Sequence, residues 1–182
     1  MSNNLVKTSN LLYKPYTGKI LTKLTNGRIN PNVQRQWIHR KYINLIPESP
    51  TSGQPRIFFL PTIHEFIIAD QISQLGIKLA FAKYIILERL KSILAEKAKI
   101  TGQVKPNLSK ILKEPSKWYG GEFINRDSKR YWVVSCINNS LEVRIVGKQN
   151  LDEIIFSHPN SFIIIPITDL LSYTDIKLSE EQ

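Results

Sequence analysis

The chain has 182 residues, of which 42% are apolar, and a formal net charge of +10 at pH 7. This length allows one domain or two small ones with hydrophobic cores, and the apolar content excludes wholesale disorder. No apolar run reaches the roughly 18 residues that a membrane helix requires, and the N-terminus lacks the charged and then apolar pattern of a signal peptide.

Residue types that support catalysis or metal binding are sparse. The single cysteine, Cys136, excludes an intrachain disulfide, and three scattered histidines do not form a zinc motif. None of the eight glycines belongs to a GxGxxG or GxxxxGK loop. We therefore expect no metal, no cofactor and no enzymatic activity, and a cytoplasmic location where thiols stay reduced.

The positive charge is concentrated towards the N-terminus. Residues 1–60 carry a net charge of +8, residues 61–115 carry +4, and residues 116–182 carry −2. An excess of this kind attracts polyanions and speeds encounter with them. The N-terminal part therefore predicts a polyanionic partner, with nucleic acid as the first candidate.

The chain begins with a polar stretch, residues 1–15, for which we predict a flexible arm with Leu11-Leu12-Tyr13 as its one apolar anchor. A first helix is predicted from Gly18 to Thr25. Asn26 and Gly27 then favour a turn, since both residue types tolerate positive φ.

The segment after this turn has the features of a DNA-recognition helix. Asn30 and Pro31 predict its start, because an asparagine side chain caps the first turn and proline suits the first helical position. The helix is predicted to reach Tyr42, so that Lys41 lies one turn after Trp37 on the same side. Arginine pairs with guanine and glutamine with adenine in the major groove, and the other side carries such residues: Arg35, Gln36, His39 and Arg40. For an isolated helix, a merely solvated basic face is the alternative.

A β-hairpin is predicted next. Residues 48–55 are rich in proline, serine and glycine and lie between two short apolar runs at 44–47 and 56–60. This pattern predicts two strands with a tip near Gly53. A hairpin beside a helix-turn-helix is a wing, and Arg56 at its base is placed to reach phosphate.

Two further helices follow. Thr62 and Glu65 have the spacing of a capping box, which predicts the start of the first, and Gly76 is expected to end it. The second, from Leu79 to Lys99, has more apolar surface than one contact face needs. We expect it to pack against its own domain and also against either a partner subunit or the C-terminal domain.

The C-terminal third changes to a period of two. Residues 131–137 and 141–145 predict strands joined by a turn at 138–140, residues 161–165 predict a buried strand, and a brief helix is expected from Thr168. The aromatic residues of this region form either core and cross-strand pairs or the lining of an effector cavity: Trp118, Tyr119, Phe123, Tyr131 and Trp132.

These elements predict an α+β protein with four parts. Residues 1–15 form the arm, residues 16–100 a winged helix-turn-helix domain with an extended helix, and residues 101–116 a linker. Residues 117–182 form a small, mainly antiparallel β-rich domain for regulation or interaction.

The order of elements over residues 16–90 resembles the MerR family of bacterial transcription regulators. Gln34 departs from the likeness, since the family usually has an aliphatic residue there, and Phe58 replaces a tyrosine. Four motifs in the right order carry the resemblance: Ile29-Asn30-Pro31-Asn32 with Arg35-Gln36-Trp37, Asn44-Leu45-Ile46-Pro47, Arg56-Ile57-Phe58 and Gln74-Leu75-Gly76-Ile77-Lys78-Leu79.

The resemblance implies sequence-specific binding to promoter DNA in the nucleoid, as a homodimer formed through Leu79–Lys99. It also implies a C-terminal domain that senses an effector or contacts RNA polymerase or another protein. An excisionase-like architectural factor of a phage or mobile element, or an assembly protein, would use the same winged module, and the sequence leaves that alternative open.

The residues predicted to contact double-stranded DNA come from the first helix, the turn, the recognition helix and the wing. They are Lys19, Arg28, Asn30, Asn32, Arg35, Gln36, His39, Arg40, Lys41, Gln54 and Arg56.

Overall fold

A computed structural model describes residues 11–46, 54–102, 129–137, 140–151, 153–154 and 162–180. Within these ranges the chain is a mixed α+β protein with five helices and two small antiparallel sheets, which agrees with the predicted fold class. The helices are α1 (Gly18–Leu24), α2 (Pro31–His39), α3 (Leu60–Gln74), α4 (Leu79–Thr101) and α5 (Ile167–Glu180). The strands are β1 (Tyr16–Thr17), β2 (Ile57–Phe58), β3 (Arg130–Ile137), β4 (Ser140–Gly147) and β5 (Phe162–Ile165).

Helix α3 is the central element of the fold. All its residues from Leu60 to Asp70 are buried, as is Ile72, so the helix is enclosed on every side. It packs against α1, α4 and α5. A helix that is apolar around its whole circumference is typical of such a position.

Three successive helices are each followed by positive φ, at two residues (Asn26 and Gly27) after α1 and at one residue after α2 and after α3. The φ angles are 49° at Asn26 after α1, 55° at Lys41 after α2 and 83° at Gly76 after α3. At Lys41, the N–H of Tyr42 donates to the Trp37 carbonyl at 2.8 Å, which is the Schellman arrangement. Helix α2 therefore ends at His39, and the predicted extension to Tyr42 is wrong. Gly76 ends α3 as predicted.

The small sheet corrects the predicted wing. Strand β2 pairs antiparallel with β1, Tyr16 opposite Phe58 and Thr17 opposite Ile57. The predicted partner, residues 44–46, forms no strand, because its backbone groups bond to side chains of α3 instead. The predicted tip at Gly53 lies outside the described residues.

The second sheet confirms the predicted hairpin and the third strand. Its order is β4-β3-β5, with both pairs antiparallel. Trp132 in the central strand lies opposite Ile145 and Ile165 and is fully buried. Trp132 is therefore a core residue, which agrees with the predicted alternative of core and cross-strand pairs. Trp118, Tyr119 and Phe123 lie outside the described residues.

One continuous hydrophobic core joins the helices to this sheet, from Leu11 to Leu178. Leu11 and Leu12 are each 1% exposed, so the predicted flexible arm does not extend to them; residues 1–10 lie outside the described part. Apolar packing outweighs the polar character of the surrounding sequence there. Helix α4 continues to Thr101, and most of the predicted linker, residues 103–116, lies outside the described residues.

Helix α4 packs against both α3 and β4, which is the intramolecular alternative predicted for its apolar surface. Its buried residues include Ile85, Ile86 and Leu90. Phe81 and Tyr84 remain 57% and 56% exposed. Helix α4 thus has an exposed aromatic surface, formed by Phe81 and Tyr84, in addition to the face that packs against α3 and β4.

The last helix is longer than the brief one predicted, and it is attached to α3 by a buried pair. His64 Nε2 lies 2.9 Å from Asp175 Oδ1, and both side chains are almost fully enclosed. Tyr16 is also buried nearby, and burial followed by the charge of Asp175 raises the pKa of Tyr16 to about 12. Among the described helices, none is both long and apolar enough to cross a membrane.

Candidate nucleic-acid interface

Helix α2 has a sharply divided surface. Asn30 caps it, since Oδ1 accepts from the N–H groups of Asn32 and Val33 at 3.0 and 3.2 Å, as the sequence predicted. Gln34 and Trp37 are buried, and Val33 and Ile38 are half-buried against the core. The exposed face consists of polar and basic side chains at positions three and four apart: Asn32, Arg35, Gln36 and His39.

Gln34 is buried, and its side-chain amide makes hydrogen bonds that an aliphatic residue could not make. Its Nε2 donates to the carbonyls of Gly18 and Ile29 at 2.7 and 3.0 Å, and Thr22 Oγ1 lies 3.4 Å away. The amide therefore ties α2 to α1 and to the turn between them. Gln34 belongs to the inner face of α2, which leaves Arg35 on the outer one.

One stripe of α3 holds the whole segment around α2. Thr62, Phe66 and Asp70 are four residues apart and therefore lie on one side of the helix. Phe66 stacks on Trp37 in the middle of α2, with ring centroids 5.8 Å apart and planes at 11°. Asp70 and Thr62 bind the chain before and after α2, respectively, so the segment runs antiparallel to α3.

Glu65 and Thr62 fix the chain that leaves α2. Glu65 Oε1 accepts from Asn44 N and Nδ2 at 2.7 and 2.6 Å, and Oε2 accepts from Leu45 N at 2.6 Å. Thr62 Oγ1 donates to the Leu45 carbonyl at 2.5 Å. The predicted capping box is therefore wrong: α3 begins at Leu60, and both side chains satisfy backbone groups of another segment. Those groups need partners because they are buried.

The Glu65 carboxyl group is poised to titrate near neutrality. Burial raises its pKa to about 7, while the hydrogen bonds from Leu45 and Asn44 and the charge of Lys83 act in the opposite direction. The desolvation of a carboxylate that is 2% exposed outweighs the three donors. The tie between α3 and residues 44–45 therefore depends on pH.

Arg28 is attached to α3 on the other side of α2. Its Nε and Nη2 donate to the Asp70 carboxylate at 3.1 and 2.8 Å, and Gln74 Nε2 donates to the same group at 2.7 Å. The hydrogen bond to Asp70 raises the pKa of Arg28 above its ordinary value. Its side chain is 46% exposed, but its charge is balanced by Asp70. Arg28, a predicted DNA contact, is thus tied to α3 by an ion pair.

The remaining predicted contacts differ in their surroundings. Arg35 Nη2 donates to Asn32 Oδ1, so these two side chains are already in contact. Lys41 lies just beyond α2, in the left-handed conformation. Arg56 is half-buried beside β2. The others are exposed: Lys19 on α1, Asn30, Gln36, His39 and Arg40 in or beside α2, and Gln54 before β2.

No acidic residue occurs in the sequence before Glu48. Helices α1 and α2 and the turn between them therefore carry only cations and neutral groups. On α3, Asp70 is paired with Arg28 and Glu65 faces backbone N–H groups. The exposed face of α2 therefore has no counter-charge on its own helix.

The sequence alone does not identify Glu65 and Asp70 as anchors of this surface. The signal is present in the sequence, because a helix rich in isoleucine and phenylalanine carries two acids there. Acids on an enclosed helix are paired or hydrogen-bonded. The partners themselves are 42 and about 20 residues away in sequence, and no local pattern specifies them.

Comparison with known protein families gives no matching family model, and no functionally described protein shows significant similarity to the chain.

Proposed function

We propose that the protein is a sequence-specific, double-stranded DNA-binding transcriptional regulator of MerR-like type. Helices α1 and α2 act as a helix-turn-helix, and α2 enters the major groove. The observation that carries the proposal is the exposed face of α2, where Asn32, Arg35, Gln36 and His39 are presented on a helix that contains no acidic residue. Groups of this kind hydrogen-bond base edges.

Rigid support of this face favours base reading over nonspecific attraction. Gln34 ties α2 to α1, Phe66 stacks on Trp37, and Glu65 holds the chain that follows. A helix fixed at three points loses little conformational freedom on binding, which leaves more of the interaction energy for affinity. Lys19, Arg40 and Lys41 supply cations for backbone phosphates on either side.

Two further parts of the proposal concern partners. Phe81 and Tyr84 on α4 form the exposed surface for a homodimer, consistent with a two-fold operator. The second sheet with α5 is the part available for an effector or for a protein such as RNA polymerase. It is joined to α3 by the His64–Asp175 pair, so a change there has a direct route to the anchors of α2.

Selection of binding sites from random duplexes, followed by titration of the selected duplex, tests the proposal. Arg35→Ala should weaken binding to the selected duplex by about 1–3 kcal/mol, or roughly 5- to 150-fold, and relax the preference at one base pair. The matched control is Arg144→Ala, which removes an exposed arginine of β4 and should leave affinity unchanged.

The salt dependence distinguishes groove reading from attraction to phosphate. Lys41→Ala should reduce the slope of log affinity against log salt by about one and weaken all duplexes alike. Recovery of no preferred sequence, or wild-type affinity of the Arg35→Ala protein, would refute the assignment of α2 as a recognition helix.

A further inference from the structure

An open cleft of about 300 Å³ lies between α1 and α5. It is separate from the exposed face of α2, and none of the predicted DNA contacts lines it. Its walls come from the first helix and its following turn on one side and from the C-terminal helix on the other: Ile20, Lys23, Leu24, Asn26, Tyr173 and Lys177.

The lining combines an apolar wall with two cations. Ile20 and Leu24 are half-buried and pack against the core, so they present fixed hydrocarbon surface. Tyr173 is 57% exposed, so part of its ring is accessible from the cleft. Lys23 and Lys177 bring two ammonium groups, and no acidic side chain is among the lining residues of the described structure.

Glu180 and Tyr173 orient the Lys177 ammonium group, which still lines the cleft. Its Nζ lies 2.8 Å from Glu180 Oε2 and 5.9 Å from the centroid of the Tyr173 ring. An ammonium group has three N–H donors and can therefore donate to more than one acceptor at the same time. The charge and the aromatic surface are thereby held next to each other.

We propose that this cleft binds a small organic anion with a flat apolar body, namely an aromatic carboxylate. The ring lies against Tyr173 and the hydrocarbon of Ile20 and Leu24, and the carboxylate accepts from Lys23 and Lys177. The volume is at the lower end of small-molecule sites, about 300–1,000 Å³, which suits a ligand of one or two rings. Because the ligand contacts both α1 and α5, its binding ties the C-terminal helix to the first helix.

The probe is 2-naphthoate, titrated into the full-length ¹⁵N-labelled protein without DNA, with neutral 2-naphthamide as the matched compound. We expect chemical-shift changes centred on residues 20–26 and 173–177, and at least about tenfold weaker binding of the amide, since charge-assisted hydrogen bonds are lost. The double variant Lys23→Gln/Lys177→Gln should lower affinity for 2-naphthoate to the level of the amide.

Lys129→Gln is the control, because Lys129 is an exposed lysine with an ion pair of its own, to Asp169, and lies outside the cleft. It should bind 2-naphthoate like the wild type. Equal affinity for the acid and the amide, shifts centred elsewhere, no binding, or an unaffected double variant would each overturn the proposal. Since DNA is absent, these outcomes do not depend on whether the chain binds a duplex.

Discussion

The contact between Gly18 and Gln34 gives a direct test of how α2 is held. A Cβ on Gly18 would overlap Oε1 of Gln34, whose Nε2 donates to the carbonyls of Gly18 and Ile29. We expect Gly18→Ala to displace this amide and to break both hydrogen bonds. At about 0.5–1.5 kcal/mol each, the loss is about 1–3 kcal/mol. The preference of a helix for alanine over glycine offsets about 0.5–1 kcal/mol of it.

A double-mutant cycle with Gln34→Ala isolates this effect. Once the amide is removed there is nothing to displace, so adding Gly18→Ala should be neutral or raise the free energy of unfolding by up to about 1 kcal/mol. Urea unfolding of the four proteins should therefore give a coupling energy of about 1–3 kcal/mol. A second cycle of Gly18→Ala with Asn32→Ala, an exposed residue of α2, should be additive. Additivity within about 0.5 kcal/mol in the first cycle would refute the reasoning.

Three further predictions follow from single features. The raised pKa of Glu65, about 7 against an ordinary value of 4.5, means that its stabilising contribution is complete below pH 4.5 and is lost as the pH rises through 7. The difference in free energy of unfolding between wild type and Glu65→Gln should therefore fall by about 2.5 kcal/mol from pH 5 to 8, at 1.36 kcal/mol per pKa unit; a constant difference would contradict it. Lys41→Gly should raise stability by about 0.5–1 kcal/mol, because glycine adopts φ 55° without strain, while Lys41→Ala should not. Phe81→Glu with Tyr84→Glu should convert a dimer to a folded monomer in sedimentation, and a retained dimer would exclude this face of α4.

The local signals predicted the elements that depend on neighbouring residues. Asn30 and Pro31 predict the start of α2, Gly76 predicts the end of α3, alternation predicts β3 and β4, and an apolar run predicts β5. The end of α2 was missed because lysine at position 41 is not a residue type that signals a left-handed cap. The capping box of Thr62 and Glu65 failed for a different reason, since its spacing also suits contacts with a distant segment.

Nonlocal pairing accounts for the other differences. Strand β2 had an apolar neighbour in residues 44–46, but pairs with β1, about 40 residues earlier. A strand of two residues is too short for its hydrophobic pattern to specify a pairing register, so tertiary contacts determine which strand it pairs with. For the candidate interface, the sequence supplied the residue types of α2 and their sidedness. It did not supply the anchors on α3, which lie about 20 to 42 residues from the groups they bind.

The position of those anchors gives the charge pattern of the surface a structural basis. Had Glu65 and Asp70 faced solvent beside α2, they would have cancelled part of its positive field. Instead, the Glu65 carboxylate accepts hydrogen bonds from the backbone of residues 44–45, and the Asp70 carboxylate accepts them from Arg28. Both contacts lie on the inner side of the segment. Each acid thus fixes the position of α2 without adding negative charge to its outer face. Removing Asp70 would therefore act twice, by freeing Arg28 to add positive charge and by loosening the turn before α2. Asp70→Asn should accordingly steepen the salt dependence of DNA binding while lowering the unfolding free energy, and a variant that changed neither would show that this pair does not position α2.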